Sequence, residues 1–498
     1  MPISLSAIDP EKLLNLFIYN SKEPLLFNSG LFLLLFLVFM LFYAMLQQHV
    51  FSRLLYVTAF SIYFYYKSSG WYFILMMGAA VAAHFLALRM YQTRHRVKRK
   101  VFLIVNLVLF LGLLAFFKYT NFIIDIINQF ATQKIAFQQI FLPLGISFYT
   151  FELISYAVDV YRNKFKPVKS LLDFSFYISF FPHLVAGPIV RPNELMPQIR
   201  SKLLIDREHI GKGIFFIVSG LLKKAIISDY IGVNFVDRVF DNPALYSGIE
   251  NLCGVYAYTL QIYCDFSGYS DMAVGIAILM GFHLPLNFNA PYQSTSITEF
   301  WRRWHISLSS WLRDYLYIPL GGNRSGKFRQ YFNLMITMLL GGLWHGASFK
   351  FIVWGGMHGL ALAIDKAKNE WLQKIGFTGH QNFWYRAGGW IVTFHLVAFC
   401  WIFFRASGFD SAVSMINQIT HSFNAEILPQ LITGYPAVFL LFALGMLMHF
   451  IPQHIESKIM TGITVSPALL QALLLAITIY AVYQIRSAEV LPFIYFQF

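Results

Sequence analysis

Residues 30–47 read GLFLLLFLVFMLFYAMLQ, eighteen positions without a charge. A helix needs about 20 largely apolar residues to cross a hydrocarbon core ~30 Å thick, and ~17 suffice. Such runs recur, and in lipid each must satisfy its own backbone N–H and C=O groups, which leaves helices or closed barrels. Further runs occur at 54–67, 71–89, 101–118, 141–161, 213–228, 252–282, 331–346, 351–365, 387–404, 435–451 and 467–485. They predict an all-α polytopic integral membrane protein with about twelve transmembrane helices. Composition agrees: 57% of residues are hydrophobic and 12% charged, against about 25% charged in soluble domains. Disordered, collagen-like and disulfide-scaffold classes are excluded.

The net charge of +14 would suggest a nucleic-acid partner for a soluble chain. Here the basic residues gather in short loops between apolar runs, the positive-inside pattern, and nucleic acid is set aside. The stretch 89–100 holds Arg89, Arg94, Arg96, Lys98, Arg99 and Lys100 and no acid. It is expected on the cytoplasmic side, which places the N-terminus outside. The same logic puts 162–169, 287–330 and 366–386 inside. It puts the acidic loop with Asp229, Asp237, Asp241 and Glu250, and the C-terminus, outside. Run 172–190 breaks the alternation, with basic residues on both sides and Pro182, His183, Gly187 and Pro188 within. It reads as re-entrant. No signal peptide is evident, and Cys253, Cys264 and Cys400 suggest neither a zinc site nor a disulfide.

Two pieces read as interfacial helices. Asp9-Pro10-Glu11 offers an N-cap and first turn for a helix over 10–20. Residues 298–317 interleave tryptophans with arginines, with Trp304, Leu308, Trp311 and Tyr315 at helical spacing. Neither repeats nor long linkers appear. The chain divides into a short segment 1–29, a core 30–405 and C-terminal helices 406–498 of the same membrane domain.

Ionisable groups inside such a chain are functional candidates. His345 lies in GGLWHGA (341–347), near the turn between two runs of about 15 residues, each roughly 22 Å long. The hairpin is therefore expected to end inside the membrane with His345 at its tip. A neutral histidine there fits a general base, and equally a packing histidine bonded to a carbonyl. His305 is expected on the 298–317 helix, one turn before Ser309. His183, His358 and His395 read as packing or cavity-lining groups. Asp265, Asp271, Glu152 and Asp159 are buried carboxylates that could relay protons or pair with Arg302, Arg303 or Arg313. Lys223 and Lys224 either snorkel or bind an anion. No metal site is expected.

Several blocks together go further. SITEFWRRWHISLS (296–309) with WLRDY (311–315) resembles the signature of the membrane-bound O-acyltransferase superfamily, and GGLWHGA resembles its catalytic-histidine segment. LPLGISFY (142–149), FPHLVAGP (181–188), DFSGYSD (265–271) and LGGNR (320–324) are similar to the bacterial branch that O-acetylates alginate. The branch that D-alanylates teichoic acid is more distant. The resemblance covers most of 30–405.

The resemblance implies a ring of helices around a thin centre, with His345 as the catalytic histidine and His305 as the second. Trp344, Asp265, Ser267, Arg302, Arg303 and His183 would line the substrate path. It implies an acetyl group drawn from a cytoplasmic thioester, acetyl-CoA or an acyl carrier, with no tightly bound cofactor. The acceptor would be an exported or cell-envelope polysaccharide, reached through an extracytoplasmic partner protein at a bacterial inner membrane. Acyl transfer to peptidoglycan, cellulose or teichoic acid is the near alternative. A carboxylate-driven transporter and a non-catalytic scaffold are the distant ones.

Overall fold

The computed structural model describes residues 10–324, 326–379 and 382–485. Among them every regular element is helical. They form two compact units, Met1–His209 with Ile276–Leu284, and Ile210–Gly275 with Pro285–Phe498.

The first unit holds α1 (Pro10–Phe17), α2 (Gly30–Leu46), α3 (Val50–Ser69), α4 (Phe73–Gln92), α5 (Arg96–Phe130), α6 (Ile146–Tyr161), α7 (Leu171–Ser179), α8 (Phe181–Leu184) and α9 (Pro192–Ile199). Helix α2 starts where Ser29 Oγ accepts the Phe32 N–H at 3.2 Å, the usual N-cap device. The apolar stretch Val50–Gln92 spans 43 residues, about 65 Å if straight and so twice a hydrocarbon core. Gly70, at φ 62°, breaks it into α3 and α4. Phe181 anchors the core, with its ring 5.0 Å from Phe60 and 5.6 Å from Phe39. The buried Arg53 guanidinium donates to the carbonyls of Gln47, Ile199 and Ser201.

Several expectations need correction here. Helix α5 takes in Arg96–Lys100 and continues to Phe130, beyond the expected 101–118. Arginine and lysine, good helix formers, occupy the N-terminal flank, and neither flank holds a glycine or proline to stop the helix. Helix α6 starts at Ile146, because Pro143 and the left-handed Gly145 (φ 73°) precede it. Helix α1 ends at Phe17, and its expected cap, Asp9, lies outside the described residues. The run 172–190 forms two short helices joined at Phe180. At 1.5 Å per residue neither can cross a membrane.

The second unit begins with an irregular helix. Its α-helical pieces are α10 (Arg207–Leu221), α11 (Asp229–Ile231) and α12 (Asp237–Asp241), joined by π-helical turns at Leu222–Ser228 and Gly232–Val236. Residues 229–241 are therefore helical, not a loop. Next come α13 (Gly248–Leu279), α14 (Ile297–Arg303), α15 (Ile306–Leu312), α16 (Lys327–His345), α17 (Phe349–Lys374) and α18 (Phe383–Arg405). The last are α19 (Phe409–His421), α20 (Leu428–Gly434), α21 (Pro436–His449), α22 (Gln453–Val465) and α23 (Ala468–Ile485).

Among the described residues, four stretches are long and apolar enough to cross a membrane: Val50–Gln92, Arg96–Phe130, Phe383–Arg405 and Ala468–Ile485. A fifth is possible if α20 and α21, bent by 95°, count with the preceding turn as one span. The hairpin helices are longer than expected. Helix α16 has 19 residues and α17 has 26, roughly 28 and 39 Å at 1.5 Å per residue. Hairpin length therefore gives no reason to put its tip at mid-membrane.

Candidate active site

All the residues of the site lie in the second unit. Helices α16 and α17 pack backbone to backbone. A methyl group at Gly342 would overlap the Phe351 carbonyl oxygen and stand 3.1 Å from the Gly355 Cα, and one at Gly355 would overlap the Met338 carbonyl. Only glycine permits this approach. His345 is the last residue of α16, and Ser348 occupies the N-cap position of α17, without a side-chain capping bond, across a short turn. Lys350 Nζ donates to the Ala406 carbonyl at 2.6 Å and ties that turn to the end of α18.

His345 is 4% exposed. Three rings meet its imidazole edge to face: Trp344 at 5.1 Å, Trp354 at 5.0 Å and Phe404 at 5.4 Å. Such pairings are favoured by the ring quadrupoles. One turn along α17 from Trp354 lies His358, fully buried, 4.8 Å from Trp354 and 5.1 Å from Trp301. The Trp401 ring stacks on Trp354 at 5.7 Å. The result is an aromatic box around His345.

His305 comes to the same box by a route the spacing did not predict. The helix expected over 298–317 breaks at Trp304–His305, where His305 adopts φ 42°, ψ 56°. His305 therefore precedes α15 as its N-cap position and does not sit within a continuous helix one turn from Ser309. Ser309 Oγ donates instead to the Trp304 carbonyl. The His305 ring is completely buried, 4.5 Å from Phe266 of α13 and 6.2 Å from Trp344. Trp344 thus touches both imidazoles.

The other candidates separate. Asp265 is paired with Lys224 at 2.6 Å, and Lys224 also holds Asp229 at 2.7 Å. Lys223 holds Asp271 at 2.7 Å. The lysines neither snorkel nor stand ready for an anion, and the two aspartates do not pair with Arg302, Arg303 or Arg313. Arg303 binds Glu299 at 2.8 Å and Arg313 binds Asp314 at 2.7 Å, while Arg302 is exposed. Ser267 is buried on α13 beside Phe266. His183 belongs to the first unit, with Nδ1 3.0 Å from Glu152 Oε1 and Nε2 3.0 Å from the Tyr177 carbonyl.

Sequence reasoning missed Trp354, Trp301 and Phe404. Trp354 was open to discovery, since it stands four residues before His358 on one helical face. His449 was also missed. It is buried, and its Nε2 accepts the Tyr292 N–H at 3.0 Å.

Chemically, the box offers an imidazole base in a site from which rings exclude water. Comparison with known proteins bears on its use. Residues 165–409 match the membrane-bound O-acyltransferase family. The chain is 37% identical to a probable alginate O-acetylase of Pseudomonas putida, over 95% of this chain and all of that protein. It is 37% identical to a peptidoglycan O-acetyltransferase of Helicobacter pylori, over 79% of each. It is 31% identical to a teichoic acid D-alanyltransferase of Bacillus subtilis, over 53% of this chain and 69% of that one.

Proposed function

We propose, from the premise that this chain belongs to the membrane-bound O-acyltransferase family and is a multi-pass membrane acyltransferase, that it transfers acetyl from a cytoplasmic thioester to an exported polysaccharide. The observation that carries this reading is His345, enclosed by Trp344, Trp354 and Phe404 at the end of a glycine-packed hairpin.

An acceptor hydroxyl is a weak nucleophile until a base takes its proton. His345 takes it as the oxygen attacks the thioester carbonyl. The C–O bond forms, the C–S bond breaks, and the departing thiolate receives the proton back from the imidazolium. The developing oxyanion needs donors, and the Trp344 indole N–H and the Gly346 backbone N–H are the groups adjoining the base. His305, on the other side of Trp344, is the second imidazole of the site. The aromatic enclosure keeps water from competing for the thioester. Acetyl-CoA or an acylated carrier is the donor, and exposed Arg302 is suited to its phosphates. An extracytoplasmic partner completes delivery at a bacterial inner membrane, with the N-terminus outside.

The similarity to a peptidoglycan O-acetyltransferase supports a second reading in which only the acceptor changes. A carboxylate-driven transporter is disfavoured, because Asp265 and Asp271 are bound to lysines and Glu152 to His183.

The test is consumption of radiolabelled acetyl-CoA by the purified protein in liposomes, with label transfer scored on added glycan. Wild type should consume the donor and His345→Ala should not. A folded His345→Ala protein with wild-type consumption would refute the role of His345.

A further inference from the structure

The chain that leads into α14 runs beside the break that carries His305. Asn289 N donates to the Arg303 carbonyl at 3.0 Å, and Ile306 N donates to the Asn287 carbonyl at 2.9 Å. These two backbone bonds bracket His305. Asn287 is 2% exposed, and both ends of its side-chain amide are bonded. Its Oδ1 accepts from Ser307 Oγ at 2.6 Å and from Ser307 N at 3.3 Å, and its Nδ2 donates to Ser270 Oγ on α13 at 3.1 Å.

The first N–H groups of any helix lack partners within it. The N-cap side chain ordinarily supplies one. The N-cap of α15 is His305, and its side chain makes no capping bond. Asn287 performs the service instead, its carbonyl taking the first N–H of α15 and its side chain the second. His305 is thereby relieved of capping while holding a left-handed backbone, which a non-glycine residue adopts only when its surroundings impose it. Phe288, next to Asn287, packs on Trp304 at 5.1 Å and on Phe266 at 5.0 Å, and Phe266 is the ring against His305.

We infer that Asn287 is a positioning residue for acyl transfer: by capping α15 in place of His305, it fixes the kink that aims the His305 imidazole at Trp344. This rests on the reading of His305 as part of the active site, so the experiment has one arm that needs activity and one that does not.

In the structural arm, the purified full-length protein is treated with diethyl pyrocarbonate and carbethoxylation of His305 is mapped by mass spectrometry. Wild-type His305 should be protected. Asn287→Ala should raise its modification rate on the order of 10-fold, as local opening at the kink becomes easier. Asn287→Asp, which keeps an acceptor for Ser307, should restore protection. Equal protection in wild type and Asn287→Ala overturns the proposal whatever the turnover. In the activity arm, acetyl-CoA consumption by Asn287→Ala should lose about 100-fold in kcat, the scale of a small misplacement of a reacting group. KM should be unchanged, Asn287→Asp should recover most of the rate, and Asn287→Ala should add little to His305→Ala. Fully additive losses overturn the proposal. A wild-type rate in His305→Ala would remove His305 from the reaction, and the modification arm would still decide what Asn287 does. If Asn287→Ala fails to fold, Ser307→Ala removes the 2.6 Å bond alone and should shift both arms in the same direction by less.

Discussion

Replacing Gly342 by alanine would test whether the hairpin is built for the position of its histidine. The added methyl would overlap the Phe351 carbonyl oxygen and lie 3.1 Å from the Gly355 Cα, inside the 3.4 Å at which ordinary contact begins. Both are backbone atoms and cannot swing aside, so α16 and α17 must part. Overpacking of this kind costs about 1–3 kcal/mol. His345 sits one turn beyond Gly342, and a separation on the order of 1 Å would carry it off its mark, worth up to about 100-fold in rate. Gly356→Ala is the control, since its methyl would meet only Leu339 Cδ2 at 3.4 Å. That change should be neutral or stabilise the helix by about 0.5–1 kcal/mol. Thermal unfolding in detergent and acetyl-CoA turnover, measured on both variants, decide the matter. A Gly342→Ala protein with wild-type midpoint and turnover would refute the argument from close packing.

Two further outcomes follow from buried groups. Lys224→Met leaves the Asp229 and Asp265 carboxylates buried without their shared cation. It should cost about 3–5 kcal/mol in unfolding free energy, part of which returns when Asp265→Asn is added. Glu152→Ala deprives the Val190 N–H of its acceptor and His183 Nδ1 of its neighbour. A loss of about 2–3 kcal/mol is expected, with Glu152→Gln closer to wild type, read as the shift in denaturation midpoint.

The sequence made the apolar helices legible wherever the apolar run and the helix coincide, as at α2, α18 and α23. It misjudged helices that outlast their apolar run. Charge ends a hydrophobic segment but not a helix, so α5 begins at Arg96 and α17 continues through Lys366, Lys368 and Lys374. The break at Trp304–His305 was hidden for another reason. The spacing of Trp304, Leu308, Trp311 and Tyr315 fits a continuous helix there, and the bonds that interrupt it come from Asn287, a tertiary contact. His345 and Trp344 were readable from their motif. Trp354 was within reach through its helical spacing from His358, but the closing ring Phe404 was not, because it lies in a segment of other apolar and aromatic residues and only packing selects which of them faces the histidine. The lysine partners of Asp265 and Asp271 were not among the alternatives the sequence offered, since those lysines lie on a π-helical turn whose register no sequence period describes.

That turn has a consequence for comparing chains. An i→i+5 turn holds one residue more than the i→i+4 pattern. Deleting a single residue from Leu222–Ser228 would leave an ordinary helix of the same direction and connectivity. It would also rotate one side of that helix relative to the other, and Lys223 and Lys224 could no longer meet Asp271 and Asp265 on α13 together. A one-residue gap at this point in an alignment would therefore leave the topology alone and rewrite the buried ion pairs between this helix and α13.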